Sequence, residues 1–290
     1  MCGRTAQTSK EKIPDILSEK INSGGIMSKL LGILGGLGPM SSAYLYKMIT
    51  EHTLAERDQD HIDIVLNSRA TTPDRTEFIL GSSERSPLPY MIEDAKRLEK
   101  YGADGIIIAC NTAHYFIDEV RRAVSVPVPS IIYETVDFLK KSGFKKAGIL
   151  ATAGTVSAGS YQDKCRVLGI DFAIPSKNSQ EDLMEMIYGC VKCGKPSSKD
   201  AFLRISDEMR SLGCDCLILG CTELSVMADE LSLFNEPDIP YICDSLHVLA
   251  AFSISFCNKQ NIGFDEKLKK WADGIHELAG NGYSFIPEVR

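Results

Sequence analysis

Short runs of isoleucine, valine and leucine recur along the chain at Leu30 to Leu34, Ile62 to Leu66, Gly105 to Ala109, Val128 to Ile132, Ala147 to Leu150 and Cys216 to Leu219. Unbroken apolar runs of strand length, without polar alternation, predict parallel strands covered on both faces. Between them, apolar residues return every three or four positions, which predicts helices over Ser41 to Glu56, Tyr90 to Tyr101, Ala113 to Ala123, Ser157 to Leu168, Asp182 to Cys193 and Lys199 to Leu212. Strands alternating with helices place the chain in the α/β class, with parallel sheets flanked by helices.

The pattern repeats. Lys29 to Gly38, followed by Ser41, matches Lys145 to Gly154, followed by Ser157, at an offset of 116 residues. Gly102 to Thr112 matches Gly213 to Glu223 at an offset of 111. Each half opens with a strand and a glycine-containing turn and closes with a strand that delivers a cysteine, Cys110 in the first and Cys221 in the second. The expected organisation is a flexible extension over 1–28, pseudosymmetric α/β domains over 29–128 and 129–245, and a C-terminal segment over 246–290 packing back on the first domain. A length of 290 residues suits two such units, each burying a core.

Composition narrows the chemistry. A hydrophobic share of 44% and a charged share of 24% are those of a globular protein, and the net charge of −7 argues against nucleic acid as partner. No apolar stretch is long enough to span a membrane and the N-terminus lacks a secretory core, so the expected location is the cytoplasm. The ten cysteines are then expected as free thiols. Cys190, Cys193, Cys214 and Cys216 are poorly spaced for zinc, because one pair rides a predicted helix and the other alternates along a strand.

In open parallel sheets ligands bind beyond the carboxyl ends of the strands, where both repeated motifs put their cysteines. Facing halves would set Cys110 and Cys221 on opposite walls of one cleft. Each precedes a predicted helix, whose N-terminus can favour a thiolate. Two like groups on opposite faces of a carbon suit removal of a proton from one side and its return from the other. Either cysteine taken singly is more simply a small apolar residue ending a strand; their equivalence favours the functional reading.

Gly35-Gly-Leu-Gly-Pro39, Thr72-Pro-Asp-Arg-Thr76, Cys110-Asn-Thr-Ala-His114, Ala151-Thr-Ala-Gly-Thr155 and Gly220-Cys-Thr-Glu-Leu224 together resemble the aspartate/glutamate racemase family. The resemblance runs over nearly the whole chain after Met27. It implies an inter-domain active site, no cofactor, a homodimer, and racemisation of a small amino acid by Cys110 and Cys221. It further implies that Arg75 holds a side-chain carboxylate and that Lys192 is a second carboxylate contact. Asn111, Thr112, Thr155 and Thr222 would hold the α-carboxylate and ammonium groups. The chain departs from the glutamate racemases in its Gly-Gly-Leu-Gly-Pro opening and in Glu223, also taken as a substrate-site residue, where those enzymes carry a histidine. Aspartate is favoured over glutamate on that ground, with broad-specificity racemisation or non-catalytic amino-acid binding as alternatives. Nucleotide binding at Gly36-Leu-Gly38 is disfavoured, because Ser41 stands where a dinucleotide fingerprint wants glycine and Asn67 where it wants an acid.

Overall fold

The computed structural model describes residues 29–280, so the extension expected over 1–28 lies outside the described residues. In chain order the elements are β1 (Leu30–Gly35), α1 (Pro39–Glu51), β2 (Asp63–Ser68), α2 (Arg75–Ile79), α3 (Leu88–Tyr101), β3 (Gly105–Ile108), α4 (Ile117–Ala123) and α5 (Ile131–Lys141). There follow β4 (Lys146–Ala151), α6 (Ala153–Ser157), α7 (Ser160–Leu168), β5 (Asp171–Ala173), α8 (Lys177–Met184), α9 (Lys199–Ser211), β6 (Cys216–Gly220), α10 (Thr222–Glu230), β7 (Tyr241–Asp244), α11 (Ser245–Phe256) and α12 (Glu266–Gly280).

The strands form two parallel sheets, β2-β1-β3 and β5-β4-β6-β7. Their registers carry the sequence repeat: Leu31 to Leu34 lie opposite Gly105 to Ile108, and Ala147 to Leu150 lie opposite Cys216 to Leu219, which are the same positions displaced by 116 and 111. The repeat is therefore structural as well as textual.

Both faces of each sheet are covered, as the apolar runs require. Leu34, Ile106 and Ile108 point to an outer core under α3 and α4, and Leu150, Leu217 and Leu219 to another under α9 and α10. Leu31, Ile33, Ile149 and Ile218 share a third, central core with α5 and α11. Every residue of α11 but His247 is buried, and it packs on α1 as well as on α5 and α10. Residues after α11 touch the first half through the hydrogen bond of the His52 Nδ1 to the Ile262 carbonyl and the bridge between Thr53 and Asn261. Trp271 of α12 instead donates to Asp137 of α5 at 2.8 Å and meets Phe138 edge-on.

Several elements differ from the expectation: the helix expected over Ala113 to Ala123 opens as a 3-10 segment (Thr112–Phe116) before α4, and that over Ser157 to Leu168 is interrupted at Ala158 and Gly159, between α6 and α7. Val128 to Ile132 is not a strand: Pro127 and Pro129 have no N–H for a ladder, although the Pro127 carbonyl still accepts from Ile106, and Ser130 then caps α5 by accepting from Tyr133. The first helix ends at Glu51 rather than Glu56. The helix expected over Asp182 to Cys193 loses α geometry after Met184, passing through a π segment (Glu185–Cys190) into a single 3-10 turn (Val191–Cys193) closed by Gly194 in the left-handed region. Such irregular turns often mark functional segments.

Candidate active site

Cys110 and Cys221 follow the carboxyl ends of the equivalent strands β3 and β6, and both line one small cavity between the two sheets. They are 6% and 4% exposed. Of the residues picked out in the sequence, Arg75, Asn111, Thr112, Lys192, Thr222 and Glu223 line the same cavity, and Thr155 stands one hydrogen bond behind it. Leu37, Thr76, Thr152 and Tyr188 complete the wall. Thr76 and Thr152 belong to motifs visible in the sequence, but Tyr188 lies in a stretch with an ordinary helical pattern and gives no signal of its own. A wider cleft of about 800 Å³ shares Leu37, Arg75, Lys192 and Glu223 with the inner cavity and leads to solvent past Gly36 to Ser41 and Val191 to Pro196.

A directional chain of hydrogen bonds holds the Cys110 loop to the second sheet. The Ser245 hydroxyl spends its proton on the Leu219 carbonyl at 2.7 Å, so it can only accept from Asn111 Nδ2, at 3.0 Å. Asn111 Oδ1 then accepts from the Tyr161 phenol at 2.6 Å. Asn111 thus ties β3 to β6 and α7, and its amide has one hydrogen and one lone pair to spare. The hydroxyls of Thr112, Thr152 and Thr155 close a second link, a ring with sides of 2.9, 3.0 and 3.0 Å. Gly154 lets α6 approach α2 closely, since a Cβ there would stand 2.9 Å from Thr76 Cα.

His114 is a structural residue. Its Nε2 accepts from the Ile131 N–H at 3.1 Å, so Nδ1 carries the hydrogen that meets the Cys110 carbonyl at 2.8 Å. The bonds fix the neutral tautomer and leave the Cys110 thiol to other neighbours. Arg75 is buried at 7% exposure, which rules out a solvated surface arginine. It opens α2, whose cap is the Asp74 carboxylate accepting from Glu77, and it donates to the carbonyls of Leu37 at 2.5 Å and Pro73 at 3.1 Å. Its Nε has no oxygen or nitrogen partner, and the guanidinium faces Cys110. Burial pulls the Arg75 pKa down, but Cys110 and Asp74 outweigh it and the net direction is up.

Cys221 has different company. It is the N-cap residue of α10, and its S–H donates to Glu223 Oε2 at 3.0 Å. Burial pushes the Cys221 thiol well up, Glu223 pushes it further, and Lys192 opposes. The helix N-terminus expected to favour a thiolate is outweighed here. Glu223 also accepts from the Thr222 hydroxyl at 3.2 Å and pairs through Oε1 with Lys192 Nζ at 2.6 Å. Burial would raise the Glu223 carboxyl, yet the ammonium holds it below its ordinary range. Gly38 makes room for this carboxylate, because a Cβ there would lie 2.6 Å from Glu223 Oε1. Among the described residues no three of His, Cys, Asp and Glu gather closely enough to hold a metal ion, and no helix is long and apolar enough to cross a membrane.

Comparison with known proteins agrees with this architecture. Residues 34–252 match the Asp/Glu/hydantoin racemase family. The aspartate racemase of Picrophilus torridus superposes with a TM-score of 0.69 at 32% identity, covering 86% of this chain and 100% of that one. An aspartate racemase homologue from Pyrococcus horikoshii gives a TM-score of 0.65 at 27% identity, over 80% and 99% of the two chains. A broad-specificity amino-acid racemase of Bacillus subtilis is 28% identical over 230 residues, 78% of this chain and 97% of the relative. With a superposition over most of the chain and a family match spanning both cysteine motifs, the chain belongs to the Asp/Glu/hydantoin racemase family and is a racemase.

Proposed function

We propose that this racemase acts on an acidic amino acid, aspartate before glutamate, with Cys110 and Cys221 as the two acid–base groups. The observation that carries the reading is the convergence of both thiols on one cavity beside Arg75 and Lys192. An α-carbon held between the thiols presents its hydrogen to one of them in the L-form and to the other in the D-form. One sulfur removes the proton, the carbanion flattens, and the opposite sulfur returns a proton to the other face.

The polar wall sorts the substrate's groups. Arg75 has an unspent buried N–H and can take a carboxylate. The threonine ring uses all three hydroxyl protons internally, so Thr112 and Thr155 offer only lone pairs and suit the ammonium group. The spare amide hydrogen of Asn111 suits the α-carboxylate. Lys192 meets a second carboxylate once it leaves Glu223. The pseudosymmetric units are best divided near residue 128, and we place the enzyme in the cytoplasm as a homodimer. The similarity to a broad-specificity racemase supports a second reading, in which neutral amino acids are also turned over.

The test separates the two faces. Cys221 is assigned as the base for the L-substrate and Cys110 for the D-substrate. Racemisation should fall by about 10²- to 10⁴-fold in both Cys110→Ser and Cys221→Ser. With a substrate analogue that loses a β-leaving group after its α-proton, Cys110→Ser should still process the L-isomer and Cys221→Ser the D-isomer. Wild-type racemisation in both single variants refutes the two-thiol mechanism; reversed half-reactions refute only the assignment of faces.

A further inference from the structure

The two thiols are not in equivalent surroundings. Cys110 has a guanidinium beside it, whereas Cys221 donates its proton to a carboxylate that is itself 4% exposed. Glu223 has three partners and they pull in different senses. Oε2 collects the Cys221 and Thr222 protons, while Oε1 is held by Lys192, whose side chain is 24% exposed and reaches in from the rim on the 3-10 turn. Among the described residues Lys192 is therefore the one charged partner of Glu223 that a ligand can reach from the outer cleft, which it also lines.

We propose that Glu223 is the proton acceptor for Cys221 and that Lys192 controls it: an acidic substrate draws Lys192 away, and the released carboxylate takes the thiol proton. The inference rests on the acidic-substrate reading above. In the step the S–H bond of Cys221 breaks and an O–H bond forms on Glu223 Oε2; no electrons are exchanged and the net charge of the pair is unchanged. With Lys192 gone both groups lose the cation's support for their charged forms, but Glu223, which it contacts at 2.6 Å, loses more than Cys221, so the shared proton shifts toward Oε2. The protonated acid no longer repels the sulfur's charge, and the thiolate faces the α-hydrogen. A neutral amino acid offers Lys192 no second carboxylate, leaves it on Glu223, and meets a protonated Cys221. The other groups facing Cys221 are the Tyr188 phenol on the π segment and Cys110 and Arg75 across the cavity, and none of them is an acceptor hydrogen-bonded to its sulfur. Specificity for an acidic side chain thus enters the L-to-D chemistry through kcat and not through binding alone. The opposite direction, in which Cys221 gives up a proton it already holds, does not need the relay.

Succinate carries the two carboxylates without an α-hydrogen activated by an ammonium group, so it tests the step without turnover. Its binding to the full chain is followed by calorimetry and the ionisation of Cys221 by absorbance in the thiolate ultraviolet band. The expected result is a saturable rise in thiolate absorbance on adding succinate to wild type, absent in Cys221→Ser and in Glu223→Gln, and absent with propionate. Lys192→Met should show the raised absorbance before any succinate is added and no further response, which keeps the test decisive if Glu223→Gln does not fold. In the β-elimination assay Glu223→Gln should lose about 10²- to 10⁴-fold on the L-isomer and far less on the D-isomer. Succinate that binds wild type without raising the thiolate, or a rise that survives in Glu223→Gln, overturns the relay and leaves the acidic-substrate reading standing. Failure of succinate to bind overturns that reading, and the relay with it.

Discussion

Replacing Tyr161 by phenylalanine removes one oxygen from the fully buried ring and nothing else. Its phenol donates to Asn111 Oδ1 at 2.6 Å, and the other three groups in that chain already have their directions fixed: Asn111 to Ser245, Ser245 to the Leu219 carbonyl. The phenol also lies against the hydroxyls of Thr135 and Ser245, but Thr135 spends its proton on the Ile131 carbonyl at 2.6 Å and Ser245 on Leu219. Neither is free to donate to Asn111 in its place. The variant therefore leaves a buried amide oxygen without a donor, at a cost of about 1–3 kcal/mol. For a chain of 290 residues that corresponds to a fall in Tm of about 2–5 °C. Asn111 follows Cys110 directly, so loosening its amide loosens the thiol, and a misplacement on the order of 1 Å at a reacting group can cost about 10²-fold in rate. The assay is a thermal melt beside both half-reactions, with Tyr46→Phe on the exposed face of α1 as the neutral control. The D half-reaction, for which Cys110 is the proposed base, should suffer more than the L half-reaction. An unchanged Tm would be enough to reject the bond as a determinant of stability, and a lowered Tm with both half-reactions intact would mean that it does not position the thiol.

Arg75→Leu should reduce turnover of aspartate and glutamate by at least the equivalent of about 1.5–3 kcal/mol while neutral amino acids lose less; equal losses for alanine would show that Arg75 does not read the side chain. Gly36→Ala should destabilise strongly, because Gly36 has φ +79° and a Cβ would collide with the Arg69 backbone; a melt within about 1 °C of wild type would contradict this. Glu223 is held below its ordinary range in the fold, so its contribution to stability is present above the unfolded carboxylate value and is lost as pH falls through the lower, folded value. The Tm of wild type should accordingly drop more steeply than that of Glu223→Gln across the acid range, and parallel curves would show that the pair contributes nothing to folding.

The parallel strands and the paired cysteines are legible in the sequence because they depend on local signals: strands buried on both faces read as unbroken apolar runs, and a repeated motif repeats its position in the sheet. α11 is not legible, for a physical reason. Ser245 to Phe256 is enclosed almost all round, so its apolar residues show no preferred face and no period. β5, at three residues, is too short for any pattern to declare itself, and in β7 only Ile242 and Cys243 separate Tyr241 from Asp244, so no apolar run forms. At the site, the thiols and Arg75 stand out as chemistry in motif positions, but the pairing of Lys192 with Glu223 joins residues far apart in the chain. The role of Gly38 in admitting that carboxylate is likewise a matter of approach between segments. Tyr188 reaches the cavity from within the π segment, a departure from α geometry that the helical pattern does not announce.

The central core has a kinetic meaning. Because α5 and α11 are packed against residues of both sheets, the walls of the cleft cannot swing apart as two rigid bodies without pulling Leu31, Ile33, Ile149 and Ile218 from a common interior. Hinge opening, the usual way an inter-lobe site admits its ligand, would have to breach close packing that transmits strain instead of yielding. Entry and exit then fall to the short stretches at the mouth, Gly38 to Met40 and Lys192 to Pro196, which belong to none of the buried cores. The second of these carries Lys192, so the same local motion that lets an amino acid past would set the rate at which the ion pair with Glu223 is made and broken.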